Sequence, residues 1–212
     1  MKFEKTEVWG FEHAIRGMRN PLESWDKSDS CYIDKRFNDQ FHIGKNDLAL
    51  MQKLIKAGSE HRKFLRQIFV AVDITAPLYF FKELDTYKVG TVANSTSTMH
   101  KLASTPITID CFEMGNFEDL RMFDISTVWE ILIFDLERLR KLYNETKDKR
   151  YWKELIRLLP ESWLQKRTIT MNYENILNMY RQRKSHKLTE WSKSFCDWVK
   201  TLPYAEELIC LE

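Results

Sequence analysis

The stretch His61-Arg62-Lys63-Phe64-Leu65-Arg66, the run Ile68 to Ile74, the pair Ala76-Pro77, the triplet Thr86-Tyr87-Lys88 and the segment Val89-Gly90-Thr91-Val92-Ala93-Asn94-Ser95-Thr96-Ser97-Thr98-Met99-His100 decide how this chain is read. Ile68, Val70, Val72 and Ile74 alternate with Phe69, Ala71 and Asp73, which is the period of a strand with one partly polar face. Thr75 offers an N-cap and Pro77 a first-turn position, so a helix is expected to follow and reach about Asp85. Upstream, Asn46 or Asp47 is placed to cap a helix whose apolar residues Leu48, Met51, Leu54 and Ile55 share one face, with Gly58 as its stop.

Outward from that centre, residues 7–19 read as a strand running into a short helix, and residues 20–46, polar and broken by Pro21 and Gly44, as an irregular loop. The second half is mostly helical. Val128, Ile131, Leu132, Leu136, Leu139 and Leu142 form one amphipathic stripe. A shorter helix runs from Tyr151 to Leu159 and ends at Pro160. Residues 172–183 and 189–200 make two more helices, the last with Trp191, Phe195 and Trp198 at helical spacing. With three to five strands, this is an α+β chain in which helices dominate.

The 212 residues suffice for one domain with a full core, expected to span 1–212. No apolar run reaches the roughly eighteen residues a membrane span needs, and the charged opening Met1-Lys2-Phe3-Glu4-Lys5 lacks a signal-peptide core. A formal charge of +2 gives a nucleic-acid role no electrostatic support. Cys31, Cys111, Cys196 and Cys210 are scattered without a Cys-x-x-Cys pair, which points to unpaired thiols and a cytoplasmic location.

Taken singly, the chemistry-bearing residues have ordinary readings. His61 reads as a solvated turn histidine, and Thr91, Asn94, Ser95, Ser97 and Thr98 as a loop satisfying its own backbone. Arg181, Arg183 and Lys184 read as a solvated basic face, and Trp163, Trp191 and Trp198 as core. There is no Gly-rich phosphate loop, metal-ligand cluster or nucleophile elbow.

Their order and spacing, however, resemble the flavin-dependent thymidylate synthases over roughly residues 7–200. That family carries Gly-His-x-x-Pro-Phe-Glu-His, a strand, an Ala-Pro helix, and the signature Arg-His-Arg-x-x-Ser-x-Asn-Glu-x-Ser-x-Arg-Tyr. Without a gap, His61 falls on the first histidine, Phe64-Leu65 near Pro-Phe, Ala76-Pro77 on Ala-Pro, Thr86-Tyr87-Lys88 on Arg-His-Arg, and Thr91 on the following Ser. One inserted residue then brings Asn94, Ser97 and Met99 onto Asn, Ser and Arg. Further on, Leu159-Pro160, Thr170-Met171-Asn172 and Arg183 keep the intervals of the family's Leu-Pro, Thr-x-Asn and dUMP-binding Arg, and Arg16 matches an Arg in its opening helix.

The resemblance implies a helix-rich α+β fold with a small, mostly antiparallel sheet, assembled as a homotetramer with shared ligand pockets. It implies FAD held by His61, Thr86, Tyr87, Lys88 and Asn172, and a pyrimidine nucleotide held by Thr91, Asn94, Ser97 and Arg183. The reaction would move a methylene group from methylenetetrahydrofolate, with hydride from NADPH by way of FAD, to C5 of dUMP; the flavin does the hard chemistry. The chain departs from the pattern where charge matters. Thr86 and Tyr87 carry none, Lys88 is a point donor, Met99 cannot bind a phosphate, and Leu188-Thr189 replaces the family's Ala-Gln. Losing two or three charge-assisted contacts of about 1.5–3 kcal/mol each would weaken binding by orders of magnitude, unless Arg62, Lys63, Arg66, His100 or Lys101 compensates. Three readings follow: a divergent enzyme of this type or of a related pyrimidine-nucleotide reaction; a catalytically inactive nucleotide-binding or regulatory protein on the same fold; and an interaction or scaffold protein using the ring-bearing helix of Trp191, Phe195 and Trp198.

Overall fold

In a computed structural model, the structure describes residues 1–33, 40–115 and 125–211. In chain order these form β1 (Lys2–Trp9), α1 (Phe11–Arg19), β2 (Cys31–Ile33), β3 (Gln40–His42), α2 (Lys45–Lys56), β4 (Phe69–Pro77), α3 (Leu78–Leu84), β5 (Val92–Ser95), α4 (Thr98–Lys101), α5 (Ile125–Thr146), α6 (Lys149–Leu158), β6 (Leu164–Asn172), α7 (Tyr173–Arg183), α8 (Cys196–Lys200) and α9 (Ala205–Leu208). A five-residue 3₁₀ turn, Lys63–Gln67, precedes β4, and a π-helical stretch, Glu190–Phe195, runs into α8. Helices dominate, and β1, β4, β6 and β5 lie in that order in a small antiparallel sheet. The chain forms two compact units, one of Met1–Lys2, Ile74–Thr86 and Asn94–Arg167, the other of Phe3–Asp73, Tyr87–Ala93 and Thr168–Glu212.

Within the first unit, Leu102, Ile107, Phe112, Leu136 and Leu155 form a buried cluster on which Trp129, Leu132, Leu139 and Trp163 pack. The apolar stripe expected along α5 is therefore only partly inward. Val128 and Ile131 are 60% and 58% exposed, as is Phe134 at 67%, because the core occupies the opposite side of the helix. The α3 helix begins two residues later than expected, since β4 runs through Thr75 to Pro77. No side chain caps it. The Leu78 and Tyr79 N–H groups instead donate to the carbonyls of Trp163 (3.1 Å) and Glu161 (3.3 Å), which removes the need for a Thr75 cap.

The second unit is built around α7. Tyr173 is fully buried; its N–H donates to the Ile68 carbonyl (2.9 Å) and its hydroxyl to the Pro203 carbonyl (2.6 Å). Burial pushes that phenol well above its usual range. Trp191, Phe195 and Trp198 are 0%, 0% and 6% exposed, so the three rings form core and present no open patch. Trp198 stacks on Phe3 (4.9 Å between centroids) and donates to Thr6.

The polar segment 20–46 carries more order than its composition suggests. Two 3₁₀ turns, Asn20–Leu22 and Trp25–Lys27, lead to β2, which pairs antiparallel with β3, Tyr32 opposite Phe41. Positions 34–39 of that stretch lie outside the described residues. Six strands are thus present among the described residues, one more than expected, because these two are too short to show a period.

Neither Asn46 nor Asp47 caps α2. Its N-cap is Gly44, and the Asn46 and Asp47 N–H groups donate to the carboxylate of Asp29 (2.9 and 3.1 Å). Asp47 instead turns inward, with no exposed surface. It accepts from Arg19 Nε (2.6 Å), Ser28 Oγ (2.7 Å), Ser30 Oγ (2.6 Å) and the N–H groups of Asp29 and Ser30 (3.1 Å each). Burial raises its pKa, but the hydrogen bonds from Ser30, Ser28 and Arg19 outweigh that and hold the carboxyl below its usual range.

Candidate functional site

Within the second unit, five of the residues singled out by sequence meet at α7. The helix is capped by Asn172, whose side chain accepts from the Asn175 N–H (3.0 Å) while Asn175 Oδ1 accepts from the Asn172 N–H (3.2 Å), a reciprocal box that satisfies two end groups. Asn175 Nδ2 also donates to the Val89 carbonyl (2.7 Å), which ties the Tyr87–Thr91 turn to the helix. Thr91 closes that turn by donating its hydroxyl to the Tyr87 carbonyl and its N–H to the Lys88 carbonyl (3.4 Å). Gly90 sits at φ +78°, and a Cβ there would lie 2.9 Å from Asn172 Nδ2 and 3.0 Å from Asn175 Oδ1. Only glycine fits both the conformation and the space.

At the other end of α7, Tyr87 meets Arg183. The Tyr87 hydroxyl donates to Gln182 Oε1 (2.7 Å) and accepts from Arg183 Nε (3.0 Å). The half-buried guanidinium lies over two rings, 5.5 Å from the Tyr87 centroid and 5.0 Å from that of Trp191, both within cation–π range. Arg183 is thus not part of a solvated basic face, whereas Arg181 and Lys184 are exposed. Lys88, the remaining cation of the triplet, is exposed as well.

Sequence reading missed Glu174, which is 8% exposed in the first turn of α7. It accepts from Arg62 Nε (3.2 Å) and pairs with Arg66, while Arg62 also donates to Asn178 Oδ1 (3.0 Å). These two arginines, proposed substitutes for the lost signature charges, are therefore committed to α7. An acidic residue two positions after an Asn cap was the available signal. Gln182 and the second role of Trp191, a buried ring that also carries Arg183, left no trace in the sequence pattern.

His61 lies apart from these contacts, exposed in the turn after α2. It stands at the edge of a cavity of about 1050 Å³ between α1, α2 and the Lys63–Gln67 turn, with Met18, Leu50, Leu54 and Phe64 among its walls and Lys27 and Lys63 among its polar lining. Arg16 lines a separate cavity of about 280 Å³ with Trp25 and Tyr32.

The remaining three residues belong to the first unit. Thr86 ends α3, exposed, its hydroxyl donating to the Glu83 carbonyl (2.7 Å). Asn94 is exposed on β5. Ser97 caps α4 by accepting from the His100 N–H (3.2 Å), and His100, Lys101 and Met99 are exposed on that turn. Among the described residues, no group of His, Cys, Asp and Glu is placed to hold a metal ion, and no helix is long and apolar enough to cross a membrane.

No protein-family model matches the chain, and no curated protein matches it by sequence. Solved structures do. A crystal structure of the flavin-dependent thymidylate synthase ThyX from Helicobacter pylori, complexed with FAD and dUMP, is 19% identical with a TM-score of 0.70 over 100% of both chains. A second structure of ThyX from that organism, also with FAD and dUMP, is 18% identical with a TM-score of 0.68 over 99% of this chain and 97% of the other. The chain has the flavin-dependent thymidylate synthase fold from end to end.

Proposed function

We propose that this chain is a thymidylate synthase-like protein that binds a pyrimidine nucleotide, dUMP foremost, and carries out flavin-dependent methyl transfer to it or a related reaction. The observation that carries the proposal is the full-length likeness to ThyX structures holding FAD and dUMP. The meeting of Tyr87, Lys88, Thr91, Asn172 and Arg183 at one helix supports it. Arg183, lying against two rings, is the residue we assign to the nucleotide, with Thr91 as a further polar contact; the family resemblance assigns Asn94 and Ser97 to the same ligand. The resemblance also motivates a cytoplasmic homotetramer, and the exposed Val128, Ile131 and Phe134 of α5 offer apolar surface for subunit contact.

The residues fit a flavin at its ring better than at its phosphates. The apolar-walled cavity beside His61 has room for a planar ring system, and Lys88 keeps an exposed ammonium for a phosphate. When bound, FAD would supply the electron transfer, with NADPH and methylenetetrahydrofolate as co-substrates. The protein's part would be to hold and orient: His61 at the ring, Lys88 at a phosphate, Arg183 at the pyrimidine.

One observation favours a second reading, nucleotide binding without catalysis. The Thr86 hydroxyl is engaged with Glu83, the Tyr87 hydroxyl with Gln182 and Arg183, and the Asn172 side-chain oxygen with the α7 cap. Mixing the purified protein with FAD, desalting it and recording the visible spectrum separates the two. A retained flavin band, followed by turnover of dUMP with NADPH and methylenetetrahydrofolate, supports the enzyme. A colourless protein that binds dUMP in a calorimeter supports the second reading. A protein that binds neither refutes both.

A further inference from the structure

We infer that Tyr87 is a positioning residue that sets the orientation of Arg183 for nucleotide binding; this rests on the assignment of Arg183 to the nucleotide. A phenolic hydroxyl has one proton to give and lone pairs to receive. The Tyr87 proton goes to Gln182 Oε1 at 2.7 Å, so the oxygen turns its lone pair to Arg183 Nε at 3.0 Å. Gln182 is adjacent to Arg183 on α7, while Tyr87 enters from a turn 96 positions away in sequence, fixed by Asn175 to Val89. The chain Gln182–Tyr87–Arg183 therefore has a defined polarity, and the guanidinium lies against the Tyr87 and Trp191 rings, whose centroids are 6.3 Å apart. An arginine side chain loses much rotamer freedom on binding a ligand, and one already held at Nε and against two rings has less to lose.

At the position where the resembled family carries a charged-ligand contact, this chain thus places a neutral residue that works through its neighbour. Its hydroxyl acts on the nucleotide only by way of Arg183.

Tyr87→Phe keeps the ring and its packing and removes only the oxygen. Calorimetric titration with dUMP is expected to show binding about tenfold weaker than in the parent, the loss of one hydrogen bond to a charged group, with the thermal midpoint unchanged. Gln182→Leu, which leaves the hydroxyl without its acceptor, should weaken binding less. The Arg183 Nε–H resonance of ¹⁵N-labelled protein gives a reading that needs no ligand: slow exchange with solvent in the parent, fast exchange in Tyr87→Phe. A Tyr87→Phe protein that binds dUMP as the parent does, or keeps a slowly exchanging Arg183 Nε–H, overturns the inference and leaves the functional proposal standing. A parent that binds no dUMP overturns the functional proposal, and the inference falls with it.

Discussion

Replacing Asp47 by Asn tests the buried pair that organises the segment after α1. One carboxylate oxygen takes the Arg19 Nε–H at 2.6 Å; the other takes four donors from Ser28, Asp29 and Ser30. An amide has only one acceptor atom. Its oxygen satisfies most donors on the four-donor side, and its NH₂ then faces the Arg19 Nε–H, donor against donor. Arg19 is 4% exposed and loses its counter-charge, keeping the carbonyls of Ser24 and Lys27 at 3.1 Å each and the Ser24 hydroxyl at 3.5 Å. Breaking a buried pair from one side costs about 3–5 kcal/mol, and the two retained carbonyls place this case near the lower end, about 3 kcal/mol. For a chain of 212 residues that corresponds to a fall of roughly 6–12 °C in Tm, with a lower urea midpoint at unchanged slope. Arg19, Ser24 and Lys27 also line the large cavity, so its wall should loosen together with the fold. The double replacement Arg19→Met with Asp47→Leu leaves no unpaired charge and should recover much of the loss. A D47N protein that melts within about 2 °C of the parent would refute the reasoning.

Two further outcomes follow from particular contacts. Gly90→Ala forces a Cβ into a φ of +78° and against the Asn172 and Asn175 amides, so a loss of about 1–2 kcal/mol is expected, measured by urea unfolding, with weaker dUMP binding as the Tyr87 turn shifts. Glu137 is hydrogen-bonded to Arg140, which, with the Ile107 N–H and despite partial burial, lowers its pKa to about 2. A depressed carboxylate contributes stability above its unfolded pKa and loses it as pH falls through the folded value. Glu137→Gln should therefore lower stability at pH 7 by about 1–2 kcal/mol after solvent screening and flatten its decline between about pH 4.5 and 2. An unchanged decline in acid-unfolding scans would count against the pairing.

What the sequence revealed, and what it hid, divides by range. The alternation Ile68–Val70–Val72–Ile74 reads directly because burial repeats every second residue, and all four are 0–1% exposed. Met51 and Ile55 likewise show the buried face of α2, and Gly58, at φ +111°, its end. Asp47 misleads because a polar residue near a helix start has two uses, cap or buried acceptor. Which one it takes depends on Arg19, 28 positions earlier. The same limit applies to the site. The family resemblance places Tyr87 and Arg183 separately and assigns them to different ligands, whereas the fold joins them by a hydrogen bond. The place of Glu174 after an Asn cap is legible, but its pairing with Arg62 and Arg66 is not, because those partners are more than a hundred positions away.

The borrowed cap of α2 bears on the order in which the chain folds. A helix whose first N–H groups are satisfied by a side chain 17 and 18 positions upstream cannot complete that end by local chemistry. Its nucleus must form in the Leu48 to Lys56 turns and grow backwards, reaching Asn46 only when the segment carrying Asp29 has docked. Closing that loop costs chain entropy before it returns a hydrogen bond. The start of α2 and the segment that shapes the large cavity are therefore late, mutually dependent steps of folding.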